Sequence, residues 1–401
     1  MAKARSLPVT AMLGASMFCS GVTFASTAPY AAIVGIETLG ISSTQFALLL
    51  SASSIPGAVV SLLIGYLSDR LHDRRILILV AATAGFVGFG MIYAIRAPWA
   101  FALSMGLIMP FGLAMFSQNF AFVRVYYNEK APERSQFMVS ALRTVFTVAW
   151  VVVPPAVGYV AATYSVFDVY LVAAIAYGAC GVIFALMMRD PATHIASAPI
   201  VKPPAGSRRG LPAPILSGLA GILIVNIAAR LVGLCMPLSI VTRLGGTLAD
   251  VGLYAGIAAA TEIPFMLMWG YLLGRVSREA IIVGNALLFA VYVFLVSRAG
   301  SVAEVFWLQA INGIATAALM SVPISYMQDA IKGRVGLSTS LMDVVSIGAT
   351  LAGAAVFGVL GAGGDYQQVL LAAAGIAALG GLVMLAGNLR LLRYTPVEQG
   401  P

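Results

Sequence analysis

The sequence predicts an all-α polytopic membrane protein, with twelve transmembrane helices in two six-helix halves. Of its 401 residues, 60% are apolar and 9% are charged, whereas soluble domains have about 45–50% apolar and about 25% charged residues. The apolar residues fall into twelve segments that are long enough to cross a bilayer, which takes about 20 residues per helix. This composition excludes a soluble enzyme, a disordered protein and a disulfide scaffold.

The twelve apolar segments follow one another with mostly short polar connectors. We expect spans at 8–34, 46–67, 76–95, 98–123, 136–162, 166–188, 213–241, 250–272, 279–297, 303–327, 335–361 and 366–388. The first segment follows Lys3 and Arg5, as the apolar part of a secretory signal would. Its apolar run is too long for a signal peptide, so we expect it to remain as a span.

The longest polar connector divides the segments six and six. Residues 202–210 are rich in proline, glycine and basic side chains, which is typical of a linker. We therefore expect an N-terminal half at 1–190, a cytoplasmic linker at 191–212, a C-terminal half at 213–390 and a cytoplasmic tail at 391–401.

The two halves carry related sequence at corresponding positions. The tripeptide Gly-Tyr-Leu occurs at 65–67, near the end of span 2, and again at 270–272, near the end of span 8. An Ile-Pro pair precedes each copy, at 55–56 and 263–264. Repeated six-helix halves are typical of transporters in which one half rocks against the other around a site at mid-depth.

The basic residues are distributed unevenly between the two sets of connectors. With a cytoplasmic N-terminus, 18 of the 23 lysines and arginines lie in cytoplasmic connectors, and only Arg96, Arg243 and Arg298 lie in the opposite ones. Cytoplasmic connectors are enriched in Lys and Arg, so we expect both termini to be cytoplasmic. The same distribution accounts for the net charge of +8 without a nucleic-acid partner.

The connector between spans 2 and 3 has a patterned run of glycine, acidic and basic residues. Gly65 is followed by Asp69 and Arg70, and a basic cluster that includes Arg74 comes next. This run resembles the signature of the major facilitator superfamily at the same place. The resemblance implies the major facilitator fold, with a gate on the cytoplasmic side.

The second half carries only part of this signature. We place Gly270 and Arg275 in the same cytoplasmic gate, but Gly274 stands where the acidic residue would be. In the first half, His72 stands where a glycine is usual. We expect a weaker charge relay in the second half.

Further segments resemble the bacterial sugar efflux transporter family. They lie in order along the chain at 118–124, 142–143, 149–155, 236–238, 256–264, 309–313, 328–329 and 333–334. Two positions depart from the pattern: Asp343 stands where the family has asparagine, and Val153 where it has glycine before Pro-Pro. The resemblance implies efflux of sugars or glycosides across a bacterial inner membrane.

Four ionisable residues lie inside the predicted spans: Arg143, Arg230, Glu262 and Asp343. A charge in the hydrocarbon core costs about 2.5–3.5 kcal/mol on insertion scales, so such residues are functional candidates. The helical rise places Glu262 about 18 Å past Asp250, at the start of its span, and Asp343 about 14 Å past Arg334, just before its span.

The two carboxylates are candidates for proton coupling. A carboxyl group that alternates between dry and wet surroundings, or between paired and unpaired states, loads and releases a proton. We expect Glu262 or Asp343 to couple proton entry to substrate exit, with Arg143 and Arg230 as counter-charges. The alternatives are a static ion pair that fixes helix packing and, for Arg143, a side chain that reaches the interface.

A sugar site needs neutral hydrogen-bonding groups and a stacking face. The candidates are amides inside the spans and one tryptophan: Gln118, Asn119, Trp150, Asn226, Gln309 and Asn312. Gln118 and Asn119 lie near the cytoplasmic end of span 4, where they would instead hold the gate. Trp150 is close to a Pro-Pro pair, so helix packing is an equal alternative for it.

Two other functions remain open at this point. A drug or amphiphile exporter of the same fold predicts an apolar, aromatic cavity, whereas a sugar exporter predicts converging amides. A membrane sensor or scaffold needs neither the repeat nor the intramembrane charges. Neither a Gly-x-x-x-x-Gly-Lys loop nor a zinc motif is present, so we expect no enzymatic activity, cofactor or metal. The expected partners are the small-molecule substrate, protons and the bilayer, and we expect a monomer.

Overall fold

A computed structural model of the protein describes residues 9–70, 73–194, 213–273, 275–330 and 335–392, and in this part of the chain the regular secondary structure is all helical. The α-helices are α1 (Val9–Thr27), α2 (Ser43–Arg70), α3 (Arg75–Ile95), α4 (Pro98–Leu103), α5 (Met109–Lys130), α6 (Ser135–Thr163), α7 (Asp168–Met188), α8 (Ala213–Thr242), α9 (Leu248–Leu272), α10 (Arg278–Arg298), α11 (Val302–Ala330), α12 (Val335–Leu360) and α13 (Tyr366–Leu392).

Twelve helical stretches in the described residues are long and apolar enough to cross a membrane. This number confirms the predicted all-helical, twelve-span fold. One span, Pro98–Lys130, combines α4 and α5 through the π-helical turn Ser104–Ile108, so it extends beyond the predicted limit at residue 123.

The first span ends earlier than the sequence predicts. Helix α1 stops at Thr27, and the π-helical turn Ile33–Thr38 follows after a break. Pro29 stands in that break. Because proline has no N–H to donate and its ring clashes with the preceding turn, it ends the α-helical ladder before residue 34.

Several predicted features lie outside the described residues. These are the linker from residue 195 to 212, the tail from residue 393, His72 and Gly274.

The chain divides into two compact units. The first contains Met1–Val201 and Thr247–Gly256, and the second contains Lys202–Gly246 and Ile257–Pro401. In the first unit, α1 packs on α6 and α7, and α3 packs on α5 and α7. In the second unit, α8 packs on α12 and α13, and α10 packs on α11 and α13.

Helices α8 and α13 approach each other at a pair of glycines. A Cβ atom on Gly221 would lie 2.8 Å from the carbonyl oxygen of Gly380, and one on Gly380 would lie 2.9 Å from that of Gly221. In lipid, helices associate through close van der Waals packing, which small residues at the interface permit. This contact holds together two of the helices of the second unit.

Candidate functional site

A cavity of about 240 Å³ lies among α8, α10 and α11 in the second unit. Three polar side chains line it, from Asn226 and Arg230 on α8 and Thr316 on α11. Phe289 adds an aromatic ring from α10, and the other lining residues are aliphatic, methionine or proline. The cavity is therefore mainly apolar, with a few polar groups that can orient a ligand.

Glu262 reaches this cavity through Thr316. The carboxyl group is on α9, and its Oε1 atom lies 2.9 Å from Oγ1 of Thr316. The same hydroxyl lies 2.7 Å from the backbone oxygen of Asn312. A predicted proton-coupling group is thus one hydrogen bond away from a side chain that lines the cavity.

The predicted amides of α11 form a chain of hydrogen bonds behind Thr316. Gln309 is fully buried, and its Nε2 donates to the Tyr292 hydroxyl at 3.1 Å. Asn312 donates from Nδ2 to Oε1 of Gln309 at 2.8 Å. Residues 309, 312 and 316 are spaced at i, i+3 and i+7, which places them on one helix face.

Asn226 and Arg230 lie one turn apart on α8 and both line the cavity. The Asn226 amide donates to the backbone oxygen of Ile222 at 2.9 Å, which leaves its side-chain oxygen available as an acceptor. Nη2 of Arg230 donates to the Ser346 hydroxyl on α12 at 2.9 Å.

Asp343 lies three residues before Ser346 on the same helix, and its side chain is exposed. Within the described part of the chain, neither Asp343 nor Glu262 forms an ion pair. The structure therefore brings Glu262 to the cavity through Thr316, and it holds Asp343 elsewhere on α12 without an ionic partner among the described residues.

In the first unit, Asn119 joins α5 to α1. It is fully buried, donates from Nδ2 to the Ser20 hydroxyl at 3.0 Å and accepts at Oδ1 from the Ser16 hydroxyl at 3.2 Å. Its neighbour Gln118 is also buried, but Oε1 of Gln118 has no hydrogen-bond partner. Of the two amides, Gln118 is the one that keeps a polar atom available.

The remaining substrate-binding and counter-charge candidates of this unit are both on α6. Trp150 is half-buried and Arg143 is exposed. No hydrogen bond joins either side chain to Gln118 or Asn119 within the described residues, so the first unit does not gather its candidates into one network.

The predicted cytoplasmic gate is described only in part. Gly65, Asp69 and Arg70 lie in the last turns of α2, but their side chains are outside the described residues. Arg74 is half-buried, and its Nε atom is buried without a hydrogen-bond partner.

In the second half of the molecule, the gate candidates lie near the end of α9. Gly270 lies in the helix, and nothing lies within 4 Å of where its Cβ atom would be. The Arg275 guanidinium stacks 4.3 Å from the centre of the Tyr271 ring.

An ion pair at the start of α3, between the buried Arg75 and the partly buried Asp73, was not among the predicted site residues. Nε of Arg75 lies 2.8 and 3.0 Å from the two carboxylate oxygens of Asp73. Nη1 of Arg75 donates to the Met187 backbone oxygen at 2.9 Å and to the Thr193 hydroxyl at 2.6 Å. These bonds tie α3 to the end of α7 and to the turn that follows it.

The electrostatics of this pair favour the ionised carboxylate. Burial alone would raise the pKa of Asp73, but the hydrogen bonds and the charge of Arg75 outweigh it and hold the pKa below its usual value. The nearby His194 side chain contributes electrostatically in the same direction.

Sequence reasoning missed Thr316 because a threonine in an apolar helix is unremarkable by itself. The available signal was its position four residues after Asn312 and seven after Gln309. That spacing predicts a shared face with two residues that were already candidates.

Comparison with known families identifies the chain. A model of the Major Facilitator Superfamily matches residues 13–224 and 218–399, which together include both units almost completely. The chain belongs to the Major Facilitator Superfamily. The predicted membership of this superfamily is thereby confirmed, and the chain is a multi-pass membrane transporter rather than an enzyme.

Several curated relatives of this superfamily member carry the name of sugar efflux transporters. A Deinococcus radiodurans protein with such a name is 27% identical over 90% of this chain and 93% of its own length. Sugar efflux transporter A of Dickeya chrysanthemi is 28% identical over 81% of each chain. Sugar efflux transporter C of Escherichia coli is 27% identical over 81% of this chain and 82% of its own. These relatives agree with the family resemblance found in the sequence.

Solved structures of other transporters share the fold. The nucleoside transporter NupG superimposes with a TM-score of 0.78 at 14% identity, over 95% of this chain and 99% of that one. A POT family transporter in complex with a thioalcohol-conjugated peptide gives a TM-score of 0.76 at 13% identity, over 96% of each chain. At these identities the likeness extends to the fold alone.

Proposed function

We propose that this transporter exports sugars or glycosides from a bacterium across its inner membrane by alternating access, in exchange for protons. We further propose that it works as a monomer in the bilayer, with both termini in the cytoplasm. The observation that carries the proton coupling is the contact between Glu262 and Thr316 at the edge of the cavity. The names of the curated relatives support the substrate class.

In this proposal, Glu262 carries the exchanged proton. A carboxyl group inside a span is costly in its charged form unless it meets water, a cation or hydrogen-bond donors. Glu262 has one donor, Thr316, and no ionic partner among the described residues. It therefore binds a proton when its surroundings are dry and releases it when the cavity admits water. Asp343 is the second candidate for this role.

The substrate is assigned to the cavity of the second unit. Asn226 and Thr316 offer acceptors and donors to sugar hydroxyls, and the Phe289 ring offers an apolar face. Arg230 supplies the counter-charge and five N–H donors, of which one reaches Ser346. Gln309 and Asn312 support the site from behind rather than lining the cavity.

The first unit supplies further candidates for the same substrate. Gln118 and Trp150 stay in the proposal, because Oε1 of Gln118 has no partner and the Trp150 ring is half-buried. Arg143 stays as a counter-charge. For Asn119 we favour helix packing, because both ends of its amide bond to serines of α1.

One observation favours the alternative substrate class. Most residues that line the cavity are apolar, and Asn226 is its one amide. A mainly apolar cavity suits a drug or another amphiphile better than an unsubstituted sugar. A glycoside with an apolar aglycone satisfies both observations.

Transport in proteoliposomes tests the proposal. We expect the wild-type protein to exchange a labelled neutral glycoside or sugar, tested with methyl glucoside and lactose, and to accumulate it against its gradient when a pH difference is imposed. Glu262→Gln should abolish this uphill movement and leave exchange, because glutamine cannot release a proton. Glu37→Gln, at an exposed glutamate of the first unit, is the matched control and should behave as wild type.

Two results would refute the proposal. Uphill transport that survives in Glu262→Gln would exclude this residue as the coupling group. Movement of the cationic dye ethidium, with no exchange of either carbohydrate, would establish the amphiphile alternative.

A further inference from the structure

Arg230 lies deep inside its span, away from both ends. The span is Ile215–Thr242, and the helical rise places Arg230 about 22 Å from its start and about 18 Å from its end. Arginines that reach the membrane interface with their side chains do so from near the ends of helices. Arg230 therefore needs an anion, water or hydrogen-bond acceptors at the depth where it lies.

The exposed surface of Arg230 lies toward the guanidinium end of its side chain. The inner carbon atoms pack on α12, where a Cβ atom on Gly353 would lie 3.2 Å from Cβ and 4.0 Å from Cγ of Arg230. At the outer end, Nη2 donates to the Ser346 hydroxyl, and the other guanidinium N–H groups have no partner among the described residues. The residue is nevertheless exposed and lines the cavity, so its outer end is the part that a ligand can reach.

The surrounding helices supply no carboxylate to this guanidinium. Helix α8 packs on α10, α11, α12 and α13. Apart from Asp343, the acidic residues of these four helices lie at helix ends: Glu279, Glu304 and Asp329. Among the described residues, neither Asp343 nor Glu262 forms an ion pair with Arg230. The cavity thus has a positive charge that the described part of the chain does not neutralise.

A carboxylate on the substrate meets the requirements of this guanidinium. Arginine binds carboxylates through two parallel N–H···O bonds, and such charge-assisted bonds are about twice as strong as neutral ones. One carboxylate carries the single charge that neutralises Arg230. A phosphate monoester carries nearly two negative charges, so it would leave charge unpaired in a mainly apolar cavity.

The rest of the cavity suits the other parts of an acidic glycoside. Asn226 lies one turn from Arg230 on α8, and its side-chain oxygen is available to accept a hydrogen bond from a sugar hydroxyl. Phe289 and Met320 provide apolar surface for an aglycone. A charged group, an amide and an apolar surface therefore line the same cavity.

We propose that the cavity of the second unit binds the carboxylate of an acidic sugar or glycoside through Arg230, so that uronic acid glycosides are preferred over their neutral counterparts. This inference rests on the proposed function and narrows its substrate class. It makes Arg230 a substrate-binding residue whose charge the substrate neutralises. The alternative is that water alone solvates the guanidinium, in which case a carboxylate on the ligand brings no gain in affinity.

The test compares two ligands that differ at one carbon atom. Phenyl glucuronide has a carboxylate where phenyl glucoside has a hydroxymethyl group. Counterflow in proteoliposomes at neutral pH, without a pH gradient, gives the KM of each ligand. The rise in melting temperature that each ligand produces in detergent gives its affinity independently of transport.

For wild type we expect the glucuronide to bind more tightly than the glucoside by about tenfold or more, because hydrogen bonds between charged groups are the stronger ones. The methyl ester of phenyl glucuronide keeps nearly the same shape and loses the charge. It should therefore bind like the glucoside.

Variants of Arg230 separate its charge from a structural role. Arg230→Gln removes the charge and keeps a donor for Ser346, so the affinity for the glucuronide should fall by about ten- to hundredfold and that for the glucoside should change little. Arg230→Lys keeps the charge without the forked geometry and should retain part of the preference. Arg298→Gln, at an exposed arginine at the end of α10, is the matched control and should keep the wild-type preference.

The outcomes distinguish this inference from the proposed function. If wild type exchanges neither the phenyl glycosides nor the neutral sugars, the proposed function fails, and the inference fails with it. If wild type exchanges the glucoside but binds the glucuronide no more tightly, or if Arg230→Gln keeps the preference, the inference alone is overturned. Tighter binding of glucose 6-phosphate than of glucuronic acid would overturn the assignment to a carboxylate. If Arg230→Gln does not fold, the glucuronide, its methyl ester and the glucoside still decide the matter in wild type.

Discussion

Arg75 is the most completely bonded charged residue in the described part of the first unit. Its side chain is 4% exposed, and it binds Asp73, the Met187 backbone oxygen and the Thr193 hydroxyl together. The planar guanidinium makes these bonds in fixed directions, whereas the ammonium group of lysine is a single point charge. The residue therefore acts as a geometric connector as well as a charge.

We expect Arg75→Lys to lower the free energy of unfolding by about 1–3 kcal/mol, because the charge stays while the forked hydrogen bonds are lost. Thermal unfolding of the purified protein in detergent measures this effect. Arg298→Lys, at an exposed arginine, is the control and should change the stability little. An unchanged melting temperature in Arg75→Lys would show that the pair contributes no net stability.

The lowered pKa of Asp73 predicts how the stability of this pair depends on pH. The pKa is lower in the folded than in the unfolded protein, where it is about 3.9. The contribution of Asp73 is therefore complete above the unfolded pKa and is lost as the pH falls through the folded pKa.

We expect wild type to lose stability between about pH 5 and about pH 2 by more than Asp73→Asn does, because asparagine has no proton to bind. Melting temperatures of both proteins across this range measure the difference. Parallel curves for the two proteins would contradict the lowered pKa.

At this scale, the sequence predicts some site residues and cannot predict others. Glu262, Gln309 and Asn312 stand out because they are polar inside apolar runs. In the structure the Asn312 amide bonds to Gln309, and Thr316 bonds both to the Asn312 backbone oxygen and to Glu262. The bonds of Arg75 to Met187 and Thr193 join residues 112 and 118 positions apart. A local sequence pattern cannot predict these bonds, because they depend on how the helices pack.

At the scale of the helices, close packing depends on small residues where two backbones meet. The reciprocal contact of Gly221 and Gly380 joins α8, which lines the cavity, to α13. Backbone atoms lie opposite each missing side chain, so a larger residue cannot be accommodated by rotating a neighbouring side chain.

We expect Gly221→Ala to lower the free energy of unfolding by about 1–3 kcal/mol, the usual penalty for overpacking a tight contact. Gly375→Ala is the matched control on α13, since nothing lies within 4 Å of its Cβ position. Thermal unfolding of the two variants in detergent compares them. Equal stability of both variants would show that the contact between α8 and α13 accommodates the added methyl group without loss of stability.

The sequence predicts the positions of the spans better than it predicts which face of each helix packs against its neighbours. Hydropathy fixes where each helix crosses the membrane, and the twelve spans are confirmed. Periodicity fails to say which face of a helix meets its neighbours, because these spans are apolar all round. The π-helical turns at Ile33–Thr38 and Ser104–Ile108 also escape a pattern based on regular helices.

At the scale of the whole molecule, the distribution of basic residues predicts which ends of the helices face the cytoplasm. Helix packing gives no information on this orientation. The connectors that we assign to the cytoplasm contain 18 of the 23 lysines and arginines. Basic residues near span ends resist translocation, so they remain on the cytoplasmic side. Thr38, after the first span, should face the outside, and Glu133, between the fourth and fifth spans, should face the cytoplasm.

Cysteine labelling tests this orientation in a variant whose three cysteines, Cys19, Cys180 and Cys235, are replaced by alanine. Thr38→Cys and Glu133→Cys are then introduced separately, at positions that are exposed in the structure. In intact spheroplasts, a membrane-impermeant maleimide should label the Thr38→Cys variant and leave the Glu133→Cys variant unlabelled. After permeabilisation both should react, which shows that both thiols are accessible. Labelling of the Glu133→Cys variant in sealed spheroplasts would reverse the topology, and the direction of transport would have to be reassigned with it.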